Sequence, residues 1–161
     1  MTMIRLLQTL LVGAIGLFAA LVAINNLLDY DSNYAFVQHV LSMDTTFPGN
    51  ALMGRAITDP QAHRIAYAVI IGCEALTGVF CLLGALFMLT GLRLPLDDFQ
   101  PRKALAFLGL GLGFLLWFVG FLVIGGEWFA MWQSASWNGQ EAAFRFVVCI
   151  GIVLIFLCYE R

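Results

Sequence analysis

An all-α fold, with four transmembrane helices in one bundle, follows from three observations. Only 11% of the residues are charged and 61% are hydrophobic, whereas a globular surface needs roughly 25% charged residues. Mean hydropathy is +0.91. The apolar residues also gather into four runs, at about 4–28, 65–92, 104–126 and 139–159. Each is close to the roughly 20 helical residues that span a hydrocarbon core of about 30 Å. The whole chain, 1–161, reads as a single transmembrane domain with loops at 29–63, 93–103 and 127–138.

The first run is longer than the apolar stretch of a cleaved signal peptide, and no A-x-A site follows it. It is expected to be a retained signal-anchor helix. The long loop after it holds a short amphipathic helix over 34–43. Phe36, Val37, Val40 and Leu41 share one side of that helix, and Asp31, Ser32 or Asn33 opens it. Thr45 to Asn50, with Pro48-Gly49 at its centre, is turn chemistry. Asp59-Pro60 joins an N-cap to a first-turn proline and starts the second helix before the membrane, while Gly91 stops it. Gln100-Pro101 opens the third helix similarly. Asn138, three residues before Glu141, has the spacing of a capping box for the fourth.

Lysine and arginine placement gives the expected orientation. Arg5, Arg93, Arg102, Lys103 and Arg161 fall at one end, and Arg55, Arg64 and Arg145 at the other. Both termini are therefore expected in the cytoplasm, with loops 29–63 and 127–138 on the outer face. The second of these carries Trp128, Trp132 and Trp137, suited to an aromatic belt at the outer interface.

Glu74 and Arg145 interrupt otherwise lipid-like sequence, and a charge at membrane depth is costly without a partner or a role. At about 1.5 Å per residue, Glu74 lies about 28 Å and Arg145 about 22 Å above the terminal edge. Asn25 and Asn26 lie about 30 Å and Glu127 about 36 Å above it. The expectation is a polar layer of Glu74, Arg145, Asn25, Asn26 and Glu127 in the outer third of the bundle. Two readings stand: an ion pair and hydrogen-bond cluster that fixes helix register, or an outward-opening pocket for an ion, proton or headgroup.

Other chemistries find little support. The net charge of −2 and the lack of a basic run argue against nucleic acid. His39 and His63 lie outside the spans, and no spacing joins them to Asp29, Asp31 or Asp44 as a metal site. Gly109-Leu110-Gly111-Leu112-Gly113 lacks the preceding strand of a dinucleotide fingerprint. Gly109 with Gly113, Gly16 with Ala20, and Ala19 with Ala23 instead form small faces for close helix packing. Cys73, Cys81, Cys149 and Cys158 read as small buried packing residues. No cofactor, metal or catalytic residue is expected.

The segment Asn25-Asn26-Leu27-Leu28-Asp29-Tyr30-Asp31-Ser32-Asn33, continued by Phe36-Val37-Gln38-His39-Val40-Leu41-Ser42-Met43-Asp44, resembles a family of predicted small bacterial integral membrane proteins. So do Gly126 to Ser134, Trp137-Asn138-Gly139, and Glu74 in the second span. The likeness covers essentially the whole chain. It implies four spans and a bacterial inner membrane, and nothing catalytic. The expected function is a non-catalytic accessory or interaction subunit of a larger membrane complex, or a homo-oligomer, in contact with membrane lipid. Its outer surface would present Asp29, Tyr30, Asn33, His39, Asp44, Trp128, Trp132 and Trp137. The alternative is a small oligomeric ion- or proton-coupled channel or transporter using Glu74 and Arg145. A weaker third is a membrane immunity or stress factor.

The orientation is directly testable. Fluorescent-protein fusions at either terminus should glow, and alkaline phosphatase placed in loop 29–63 should be active; the opposite pattern reverses the topology.

Overall fold

A computed structural model describes residues 2–159. Four helices are long and apolar enough to cross a membrane: Thr2–Leu28, Pro60–Thr90, Leu96–Trp128 and Gln140–Cys158. The first is α1, Thr2–Leu28. A short α2, Tyr30–Ser42, follows almost without a break. The second crossing is α3, Pro60–Thr90. The third is built in pieces: α4 over Leu96–Phe99, a tight turn over Gln100–Lys103, α5 over Ala104–Leu115, and a π-helical continuation over Leu116–Trp128. The last crossing is α6, Gln140–Cys158.

Local chemistry explains most boundaries. Asp59 caps α3 by accepting from the Gln61 amide at 3.0 Å, with Pro60 in the first turn. The 47–50 turn closes with Asn50 N–H donating to the Phe47 carbonyl at 3.1 Å. Pro48 precedes Gly49 at φ 76°, the arrangement of a type II turn that glycine adopts without strain. Helix α6 begins one residue later than a capping box places it. Asn138 accepts from the Gln140 amide at 3.1 Å, and Glu141 turns to Arg145 instead.

Three other elements depart from expectation. Helix α2 starts at Tyr30 rather than Tyr34, because the chain bends only at Asp29 (φ −116°, ψ 59°) before resuming helix. The third crossing starts after Pro95 rather than at Pro101. Its second half takes five-residue hydrogen-bond steps, ending with Phe129 N–H on the Ile124 carbonyl at 3.0 Å. Such π turns are rare and usually single.

Helix α3 is central, packing chiefly against α1 and α5. Lipid is as apolar as leucine, so helices in a bilayer gain mainly from close backbone approach. A Cβ built on Gly84 would lie 2.5 Å from the Ala106 amide nitrogen, and one on Gly109 would lie 2.7 Å from that of Cys81. On the other side, Gly16 meets the Leu82 nitrogen at 2.9 Å and Gly78 the Ala20 nitrogen at 2.9 Å by the same construction. Val12, Ala19, Cys81, Leu110 and Ile150 close the core, each 0% exposed.

At the end carrying the termini, buried donors hold carbonyls of the turn after α3 and of the last turn of α6. Arg5 donates to the Leu94 carbonyl at 2.6 Å, and Lys103 to the Leu157 carbonyl at 2.9 Å. Gln8 donates to the Phe156 and Tyr159 carbonyls at 2.8 and 3.0 Å. The C-terminal ends of α3 and α6 favour positive charge at these carbonyls, against the opposing N-terminal ends of α1 and the third crossing. Cys81 is buried as expected, but Cys149 and Cys158 are exposed on the bilayer-facing side of α6, so the packing role fails for them.

Gly84→Val should destabilise the protein by several kcal/mol, because the clash falls on rigid backbone. Gly72→Ala, with open space at its Cβ, should be neutral or stabilising by up to about 1 kcal/mol. Thermal unfolding in mild detergent compares the two, and similar midpoints would remove glycine packing as the organising contact.

Candidate functional site

The stripe of buried residues on α1, spaced three or four apart through Val12, Gly16, Ala19 and Ala23, ends on Asn26. The corresponding stripe on α3 runs through His63, Tyr67, Ile71, Glu74 and Gly78. These two stripes face each other, so Asn26 and Glu74 meet. Asn26 Nδ2 donates to Glu74 Oε2 at 2.6 Å. Tyr67 Oη donates at 3.0 Å to the Asn26 backbone carbonyl, one of the last carbonyls of α1. Glu74 is 2% exposed, Tyr67 1% and Asn26 7%. No hydrogen bond from the described residues reaches Glu74 Oε1.

The rest of the expected polar layer points elsewhere. Arg145 does not reach Glu74. Its side chain is 68% exposed and lies 3.8 Å from Glu141, one turn away on its own helix. The buried stripe of α6 is Ala143, Ile150, Val153 and Leu157, and Arg145 falls between its members. It lies about 7.5 Å from the start of α6, within snorkelling reach of the interface. Asn25 and Glu127 are exposed as well. Tyr67 and Asn33 line the site instead, and neither carries a charge or a depth signal in the sequence that would mark it for this layer.

Two adjoining cavities lie around this carboxylate. One, of about 150 Å³, is lined by Glu74, Asn26, Asn33 and Tyr67 together with Val22, Phe36, Val37, Ile70, Trp117, Phe121 and Phe146. The other, of about 260 Å³, is lined only by apolar residues. Phe36, Val37, Ile70 and Phe121 border both. Helix α2 roofs the larger one through Val37, Val40 and Leu41, and the π segment walls it with Gly120, Phe121, Ile124 and Gly125. Val69 and Ile124 also line it and are exposed on the outside of the bundle.

The roof is fastened by the two loops of that end. Thr45 Oγ1 donates to Ser134 Oγ at 2.8 Å, and the Phe47 amide to Gln133 Oε1 at 3.1 Å. Arg55 donates to the Trp128 carbonyl at 3.2 Å and stacks its guanidinium 4.5 Å over the Trp128 ring. Val40, Met43, Phe129, Ala130 and Met131 form a small core beneath.

The expected interaction surface divides into separate groups. His39 stacks on Trp137 with ring centres 4.6 Å apart, and its Nδ1 lies 2.8 Å from Asp44. Trp132 packs edge-on against Phe47 at 5.8 Å. Tyr30 sits over Tyr67 at 4.7 Å, beside exposed Asp29 and Asn33. His63 is buried with Nε2 2.7 Å from the Ile57 carbonyl. Among the described residues, no three His, Cys, Asp or Glu side chains come together.

The architecture, four apolar spans carrying one small roofed site, agrees with a family model described as "Predicted small integral membrane protein (DUF2165)", which matches residues 4–160. The chain belongs to this family. No curated protein and no solved structure matches it. Membership carries integral-membrane character, the four spans come from the structure, and the site is read from its own geometry.

Asn26→Ala, which strips the Glu74 carboxylate of its donor, should destabilise the protein by about 1–3 kcal/mol. Arg145→Gln should change stability by less than about 0.5 kcal/mol. Chemical unfolding in mild detergent separates them; equal losses would restore Arg145 to the cluster.

Proposed function

We propose that this protein is a non-catalytic binding element of the membrane, receiving a small amphiphilic molecule in the roofed chamber beneath α2. The observation that carries this reading is the pairing of an all-apolar cavity with a smaller one that holds a half-satisfied carboxylate. The larger cavity suits a hydrocarbon chain, and the smaller suits a polar head. Val69 and Ile124, which line the larger cavity and are exposed on the outside of the bundle, would admit such a molecule sideways from lipid.

The residues around Glu74 supply amides and a phenol but no nucleophile–base pair, which favours binding over chemistry. A channel or transporter using Glu74 and Arg145 is less well supported. The proposed counter-charge is turned outward, and Thr77, Cys81, Leu110 and Ile150 pack without exposure beyond the site. In the expected orientation, in a bacterial inner membrane, the chamber opens in the outer leaflet. There the chain would serve as an accessory to whichever membrane assembly supplies or uses the bound molecule.

A photoactivatable long-chain alcohol tests the reading. Irradiation of the detergent-solubilised protein should label peptides containing Ile70 and Phe121. Gly125→Leu projects toward Met131 in the chamber and should reduce that labelling severalfold. Unchanged labelling, or labelling confined to bilayer-facing side chains, would overturn it.

A further inference from the structure

The polar end of the chamber has a composition that its depth makes unusual. Glu74 is the only carboxyl group among the described residues lining it, and no Lys, Arg or His is among them. The one cation expected nearby, Arg145, faces away. A carboxylate at this depth without a counter-charge is unfavourable, and Glu74 Oε1 has no donor among the described residues. The surrounding walls are aromatic: Phe36, Tyr67, Trp117, Phe121 and Phe146. Aromatic faces carry negative potential and attract cations, most strongly when water is excluded.

We infer that the chamber binds an amphiphilic organic ammonium, with its protonated nitrogen between Glu74 and the aromatic walls and its alkyl chain in the adjoining apolar cavity. This rests on the binding role proposed above and specifies the class of ligand. The ammonium donates to Glu74 Oε1 and supplies the charge that the protein omits. Hard inorganic cations fit less well. Ca²⁺, for example, takes 6–8 oxygen ligands, more than one carboxylate, two amide side chains and a phenol offer. The ethanolamine headgroup of a phospholipid presents the same ammonium, but its phosphate would meet no positive side chain in the lining. The favoured ligand is therefore an alkyl amine without a phosphate.

Four photoactivatable probes of equal chain length decide the matter: a primary amine, an alcohol, a carboxylic acid and a phosphatidylethanolamine. The amine should label the Ile70 and Phe121 peptides at about tenfold lower concentration than the alcohol, as a desolvated cation–π contact and charge pair imply. The acid should label them least. Glu74→Gln, which keeps shape and an acceptor for Asn26, should bring amine labelling down to the alcohol's level.

On the unaltered protein, butylammonium should compete with the amine while sodium at equal ionic strength does not, so the result does not depend on folding of the variant. Equal labelling by amine and alcohol overturns the ammonium assignment but leaves the binding role standing. Absence of chamber labelling by any probe overturns both. Preference for phosphatidylethanolamine, or equal competition by sodium, overturns the choice of a phosphate-free organic cation.

Discussion

Helices surrounded by hydrocarbon gain little from hiding apolar surface, so their association depends on how closely backbones approach. In this protein that approach is set along α3. Gly16 and Gly78 let α1 settle against one side, and Gly84 and Gly109 let α5 settle against the other. Once these contacts are made, the rotation of α3 is fixed and every third or fourth residue is committed to the interior. Glu74 is buried as a consequence of that rotation. Asn26 meets it because α1 is held in register by the same contacts lower down.

The bundle is tight at the terminal end and opens at the other, and the physical causes differ. Toward the termini, Arg5, Gln8 and Lys103 are buried and donate to carbonyls of the turn after α3 and of the last turn of α6. Arg5 and Lys103 are buried against those carbonyls, so these cations are structural even though they lie where topology signals normally lie. Toward the loops, Phe36, Trp117, Phe121 and Phe146 replace the small residues, and rings of that size hold helices apart. The π segment widens the third crossing over the same stretch. The space left between is the chamber, and α2 closes it from above.

Much of this was legible in the sequence for stated reasons. Hydropathy marked four spans because length and composition alone decide whether a helix can cross a bilayer. Asp59-Pro60 and Pro48-Gly49 marked a helix start and a turn, because those residues act through their own backbone geometry. Glu74 was conspicuous because it is charged. Depth along a helix does not fix the face a residue takes. Asn25, Arg145 and Glu127 lie within about 8 Å of the level of Glu74 but do not share its direction, and each faces out. The stripe Val12, Gly16, Ala19, Ala23 already contained the information that selects Asn26 over Asn25. No such signal existed for the π segment, because Leu116 to Gly126 is uniformly apolar and shows no period.

The sequence by itself thus determined the membrane class, the four spans, the small residues available for close packing and the presence of one acidic side chain at depth. These are properties of composition, length and single residues, and no partner is needed to read them. The tertiary structure alone decided that Glu74 is met by Asn26 and not by Arg145, that Cys149 and Cys158 face the bilayer, and that α2 covers a cavity. Those facts depend on the relative rotation of helices distant in sequence. Rotation is set by contacts between backbones, which leave almost no trace in the hydropathy of either helix alone.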